Sequence, residues 1–218
     1  MKRVLEPEVM DTAEEADGYD EMDHAGPNES FVDRLIELGA RGVILDIGTG
    51  PGHVPILVCE RIPETSVTGI DLADNMLRHA ERHRVASACA DRIEYRKADA
   101  KNLPFANASF DTVYSNTILH HIPDPKPFLS EARRVLKPGG ALLIRDLYRP
   151  DSLERVDELV GMHAGDANAY QRGLFHASLC AAFTPDELRE LADECGLGEA
   201  TIVIDSDRHV SLQRPSDA

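Results

Sequence analysis

From residue 41 onward, short apolar runs alternate with segments whose apolar residues recur every three or four positions. The first pattern is that of buried strands and the second that of amphipathic helices, and their alternation predicts βαβ units on a parallel sheet. Strands are expected at residues 43–47, 67–71, 93–98, 110–115 and 141–146, with helices at 53–61, 74–84 and 125–137. The last of these helices should start behind Asp124 as its cap, with Pro125 in the first turn, and stop at Pro138, where Gly139-Gly140 turns the chain. Past residue 146 the pattern changes, and 149–183 reads as one or two helices broken near Gly165-Asp166. "FTPDELRELADECG" reads as a further helix: Thr184 and Glu187 form a capping box, and Leu188, Leu191, Ala192 and Cys195 form its apolar stripe. Residues 201–204 and 209–213, separated by "DSDR", predict a closing antiparallel hairpin.

Charge changes the picture at the N-terminus. Residues 1–30 carry ten acids against Lys2 and Arg3, which is half of the chain's net charge of −16. No basic stripe offsets this, so nucleic acid is not expected as a partner. Within the same segment Val9, Met10, Ala13, Ala16, Tyr19 and Met22 recur at close to helical spacing. That predicts a helical lid over residues 1–30 with Tyr19 turned inward, ahead of a main domain at 31–218. The four cysteines, Cys59, Cys89, Cys180 and Cys195, show no metal-binding spacing, and no metal is expected. Without a secretion-type leader or a membrane-length apolar run, a soluble cytoplasmic protein is expected, with no membrane partner.

The chemistry concentrates at "VILDIGTGPGH". A strand is followed by Gly48, Gly50 and Gly52, which suits a ligand lying against the backbone. Asp71 stands 21 residues past Gly50 at the end of the next strand, placed for ribose hydroxyls, and Asp99 follows the third strand at the same edge. A nicotinamide dinucleotide would need GxGxxG, but His53 occupies the final position, and Asp46 before the glycines suits a cationic ligand instead.

These segments resemble the class I S-adenosylmethionine-dependent methyltransferases over residues 41–147. "LDIGTGPG", "GIDLADNML", "KADAKNLPF", "FDTVYSNTILHHIPDP" and "EARRVLKPGGALLI" stand in the family's order and spacing. The resemblance implies S-adenosylmethionine as cofactor and S-adenosylhomocysteine as product. Gly48, Gly50 and Gly52 would line the methionine and ribose portions, with Asp46 near the methionine ammonium and Asp71 on the ribose hydroxyls. Leu72 and Met76 would pack on the adenine, Asp99 and the Ala100 amide would meet its edge, and the Asn116 carbonyl would face the methionine end. The implied fold class is α/β: a doubly wound, Rossmann-like sheet of seven mostly parallel strands, with a helical cap inserted at 148–182.

In-line methyl transfer asks chiefly for orientation, and a base only where the nucleophile arrives protonated. His120 and His121, after the fourth strand, are the candidates for that role. Arg145 at the end of the fifth strand, Tyr19 on the lid, and Arg172 and His176 on the second cap helix are candidate substrate contacts; the alternative for the last two is a partly exposed helix side. "SNTI" stands where amide and nucleobase enzymes of the family carry an Asn-Pro-Pro-Tyr-like motif, and no Pro-Cys pair occurs. A small-molecule acceptor is expected, taken by a monomer or a homodimer. A cofactor-binding sensor without catalysis is the alternative.

Overall fold

The computed structural model describes residues 1–7, 9, 11–22 and 25–217. Its centre is a sheet of seven strands: β1 (Val43–Ile47), β2 (Ser66–Asp71), β3 (Ile93–Lys97), β4 (Phe110–Asn116), β5 (Leu136–Leu147), β6 (Thr201–Ile204) and β7 (His209–Arg214). The strand order is β3-β2-β1-β4-β5-β7-β6. The first five run parallel, and β7 pairs antiparallel with both β5 and β6. The expected sheet and its terminal hairpin are both present.

Strand alternation sends neighbouring residues to opposite faces. Ile44 packs with Phe31, Val32 and Leu35 of α2 (Ala25–Glu37) and with Val54 and Val58 of α3 (His53–Arg61). Leu45 faces the other core, formed with Phe128, Leu129 and Ala132 of α5 (Lys126–Val135) and Leu188 and Ala192 of α8 (Pro185–Glu194). The capping box predicted for α8 is formed, with the Thr184 hydroxyl accepting from the Glu187 amide. The insertion folds as α6 (Leu153–His163) and α7 (Ala169–Ala181), packed on each other through a cluster that includes Val156, Leu159 and Leu179.

Three expectations are corrected. The fifth strand begins at Leu136 rather than after Gly139-Gly140, and α5 ends at Val135 rather than at Pro138. Leu136 is buried and pairs with Phe110, so the chain enters the sheet immediately, and the Pro138 region is absorbed as a register shift between Phe110 and Thr112. The cap position of α5 falls on Pro125 rather than Asp124, one residue later than expected, although the Asp124 carboxylate accepts the Lys126 amide at 3.2 Å.

The boundary expected at residue 30 falls inside α2, whose buried residues tie it to the main core. Ahead of it lies α1 (Ala13–Asp20), opened by a Thr12–Glu15 capping box. It packs Ala16 and Tyr19 against Ala73 and against Met76 of α4 (Asp74–Ala86). Asp11 reaches the start of α4, accepting the Asn75 amide at 3.0 Å. Met10, part of the spacing that predicted the lid, lies outside the described residues.

Candidate active site

After β1 the chain turns through Gly48, Gly50 and Gly52, with φ of 78°, 54° and 81°, values that favour glycine. The Gly48 and Thr49 amides both donate to the Ile70 carbonyl, at 2.8 and 2.9 Å, tying the turn to the end of β2. A Cβ at Gly48 would stand 2.5 Å from Ile118, whereas one at Gly50 would meet nothing within 4 Å. That open space belongs to a cavity of about 170 Å³ at the carboxyl edge of the sheet, beside the point where the strand order reverses between β1 and β4.

Acids converge on this cavity. The Asp71 carboxylate accepts the Gly50 amide at 2.8 Å and the Ala73 amide at 2.9 Å. Burial nevertheless raises its pKa above the usual carboxylate value. Asp46, 2% exposed, is pushed up to about 7 by burial, with the Thr49 hydroxyl opposing and the charge of Asp71 adding to the rise. Asp99, after β3, accepts the Lys101 amide at 2.8 Å. Leu72, Met76 and Ala100 complete the wall, as does Asn116, whose side-chain oxygen accepts from Arg145 at 3.1 Å and from the Thr117 hydroxyl at 3.2 Å.

Nine of the ten residues expected to hold a cofactor thus line one cavity. The tenth, Gly52, does not. It caps α3, and a Cβ there would run into the Tyr95 hydroxyl and stand 2.9 Å from Ala80, so its glycine is required by packing at the helix start.

The histidine pair divides into two roles. His120 is buried between two acids, with Nδ1 2.6 Å from Asp146 and Nε2 3.2 Å from Glu6. Burial alone would lower its pKa, but Asp146 and Glu6 override it and raise it to about 9. His120 is therefore a buried cation with both ring nitrogens engaged, unsuited to accept a proton, and it is not part of the cavity wall. His121 does line the wall. Burial and the charge of His120 lower its pKa below the usual histidine value. Its Nδ1 lies 3.2 Å from the Pro7 carbonyl and the Glu6 carboxylate, both acceptors, so the proton of the neutral ring belongs on Nδ1 and Nε2 keeps its lone pair.

Of the four candidate substrate contacts, Tyr19 lines the cavity, and burial and the charge of Asp71 raise its hydroxyl pKa. Arg145 does not reach it. Its guanidinium is held under α2, donating to the Pro27 carbonyl at 2.8 Å and lying over the Phe31 ring. Arg172 is exposed on α7, and His176 on the same helix sits near Asp157 at 3.5 Å; neither belongs to the wall. Among the described residues, the insertion 148–182 contributes nothing to the cavity, and the wall is completed instead by Val9, Tyr19 and Asn28 from the N-terminal segment. Sequence reasoning placed a lid at residues 1–30 but did not foresee the residue that anchors it. Arg3 donates to the carbonyls of His120, Ile122, Pro123 and Ala181, a set that only the folded chain brings together.

A glycine turn, an acid at the end of each of three neighbouring strands and a switch-point cavity match a known family. The model of a methyltransferase domain matches residues 45–144. The chain is 34% identical to a demethylmenaquinone methyltransferase of Porphyromonas gingivalis, over 77% of this chain and 72% of that protein. The chain belongs to the class I S-adenosylmethionine-dependent methyltransferases. A ubiquinone/menaquinone biosynthesis C-methyltransferase of Geotalea daltonii is 35% identical over 55% of this chain, a match spanning about half (52%) of that relative's length. Among solved structures, the phosphoethanolamine N-methyltransferase 2 of Haemonchus contortus, in complex with S-adenosyl-L-methionine, aligns with a TM-score of 0.60 at 26% identity, over 79% of this chain and 36% of that one.

The wall of this methyltransferase fits the family's cofactor on its own chemistry. Among the described residues no cation is paired with the buried Asp46, whose raised pKa an ammonium would offset, Asp71 is backbone-oriented with a carboxylate able to accept further hydrogen bonds, and Gly50 leaves open the space a side chain would fill.

Proposed function

We propose that this chain transfers a methyl group from S-adenosylmethionine to a small organic acceptor, with His121 as the base when the acceptor arrives protonated. The supporting observation is that His121, a neutral imidazole, stands in the same wall as the nine cofactor residues. The cofactor supplies an electrophilic methyl on a sulfonium; the protein's residues hold and orient. Asp46 meets the ammonium, Asp71 the ribose and Asp99 the adenine edge, while Met76 and Leu72 cover the ring. Tyr19 and Val9 close the wall from the N-terminal side and exclude water. His120 keeps its proton and acts as a clamp that positions its neighbour, not as a base.

The relatives named above methylate at carbon and at nitrogen, so the acceptor atom is left to experiment. The chain, incubated with methyl-labelled S-adenosylmethionine and a small-metabolite extract, should give a new labelled compound, and His121→Ala should slow a proton-bearing acceptor by about 10²-fold. Cofactor binding without any labelled product would favour the sensor reading.

A further inference from the structure

Beside the cofactor cavity, three histidines and an aspartate from three separate elements meet around one carboxylate. Asp20, the last residue of α1, has Oδ1 2.9 Å from His53 Nε2 at the start of α3. Its Oδ2 lies 2.8 Å from His79 Nδ1 and 3.4 Å from His83 Nε2, both on α4. Ligand atoms of Asp20, His53 and His83 all fall within 4.8 Å of one another. His79, one turn before His83 on α4, stands outside that set, with its Nε2 2.8 Å from Asp17.

The orientation of His83 makes the arrangement more than a cluster of opposite charges. Its Nδ1 lies 2.8 Å from the Pro51 carbonyl, an acceptor, so Nδ1 carries the proton. In the neutral ring the Nε2 lone pair then faces an Asp20 oxygen. A carboxylate facing the lone pair of such a ring marks a place for a cation, a proton or a metal ion, and an imidazole that donates through its far nitrogen to a carbonyl is the usual support of a metal ligand. Tetrahedral bonds of about 2.0–2.1 Å put neighbouring ligand atoms roughly 3.3 Å apart, and Asp20 lies 2.9 Å from His53 and 3.4 Å from His83.

We propose that Asp20, His53 and His83, with solvent in a fourth position, form a binding site for a zinc-class divalent metal that pins α1 to α3 and α4. Two imidazoles and one carboxylate suit zinc, cobalt or nickel rather than magnesium or calcium. Metal entry displaces Arg82, which contacts His79 and sits 3.8 Å from Asp20, into solvent, where its side chain is already 65% exposed. Because Tyr19 lines the cofactor wall next to Asp20, the metal holds closed the segment that completes the cavity. This site departs from the sequence expectation of no metal, which could not foresee ligands converging from three elements.

The test uses the full chain, stripped with chelator and titrated with zinc by calorimetry, and with cobalt by its visible spectrum. One equivalent of zinc and the intense absorption of tetrahedral cobalt are expected, with affinity at least tenfold weaker in His83→Ala and in Asp20→Asn, both still folded by circular dichroism. Glu6→Gln, at the other carboxylate–histidine triad (Glu6, His120, His121), should bind zinc unchanged. Absence of stoichiometric binding, binding unaffected by either of the first two variants, or loss only in Glu6→Gln would overturn the proposal. These readouts need no cofactor and no methyl transfer, so they stand or fall independently of the proposed enzymatic function.

Discussion

Burial makes ionising the Asp46 carboxyl costly enough that its pKa rises to about 7. A folded-state pKa raised above 3.8 means that ionisation costs stability as the pH climbs toward 7, unless a cation arrives to meet the charge. S-adenosylhomocysteine carries an ammonium. Its affinity should therefore strengthen as the pH rises through about 7, and Asp46→Asn should flatten that dependence; calorimetric titrations on either side of neutrality read both. At the same scale, Asp46, Asp71 and Asp99 were legible in the sequence because each is a carboxylate ending or following a strand, a position set by local pattern. Gly52 differs from its neighbours in a way the string hides: three alternating glycines look equivalent, and only packing shows that the third lies off the wall and makes room for Tyr95 and Ala80. His120 and His121 are adjacent in sequence but differ in surroundings because Asp146 and Glu6, 26 and 114 residues away from His120, hold both ring nitrogens of the first, whereas Glu6 and Pro7 meet only Nδ1 of the second, which lines the wall.

At the scale of elements, the contact most open to experiment is the His120–Asp146–Glu6 clamp, which joins the turn after β4 to the end of β5 and to the N-terminal strap. Its histidine has a folded pKa of about 9 against an ordinary 6.5, so the stabilisation is fully present below about pH 6.5 and is lost as the pH rises through about 9. The shift corresponds to about 3 kcal/mol. The melting temperature should fall by on the order of 10 °C across that window, and His120→Gln should be lower at neutral pH but flat across it. An equal slope in the variant would place the pH dependence elsewhere. Most elements were readable because period-2 and period-3.6 patterns are local. The junction between α5 and β5 was not: Pro138 and Gly139-Gly140 look like a turn, and the pairing of Leu136 with Phe110 that draws them into the sheet is a long-range event.

For the molecule as a whole, an acidic N-terminus becomes part of the site rather than a solvated tail. Glu6 meets His120, Asp11 meets Asn75, and Asp17 and Asp20 meet histidines of α4, so acids that read as surplus charge are docking groups for the strap and α1. That docking brings Val9, Tyr19 and Asn28 to the cavity wall, on the side where a lid with Tyr19 turned inward was expected, while among the described residues the insertion, expected to supply substrate contacts, does not line it. None of the described helices is long and apolar enough to cross a membrane. If this cavity holds S-adenosylmethionine through its strand-end acids, titration calorimetry of S-adenosylhomocysteine against the chain and its Asp71→Ala variant will register their loss. Loss of charge-assisted hydrogen bonds should cost about 1.5–3 kcal/mol, weakening binding roughly 10- to 100-fold with one site per chain retained. Equal affinity in the variant, or no binding by the unaltered chain, would contradict the assignment.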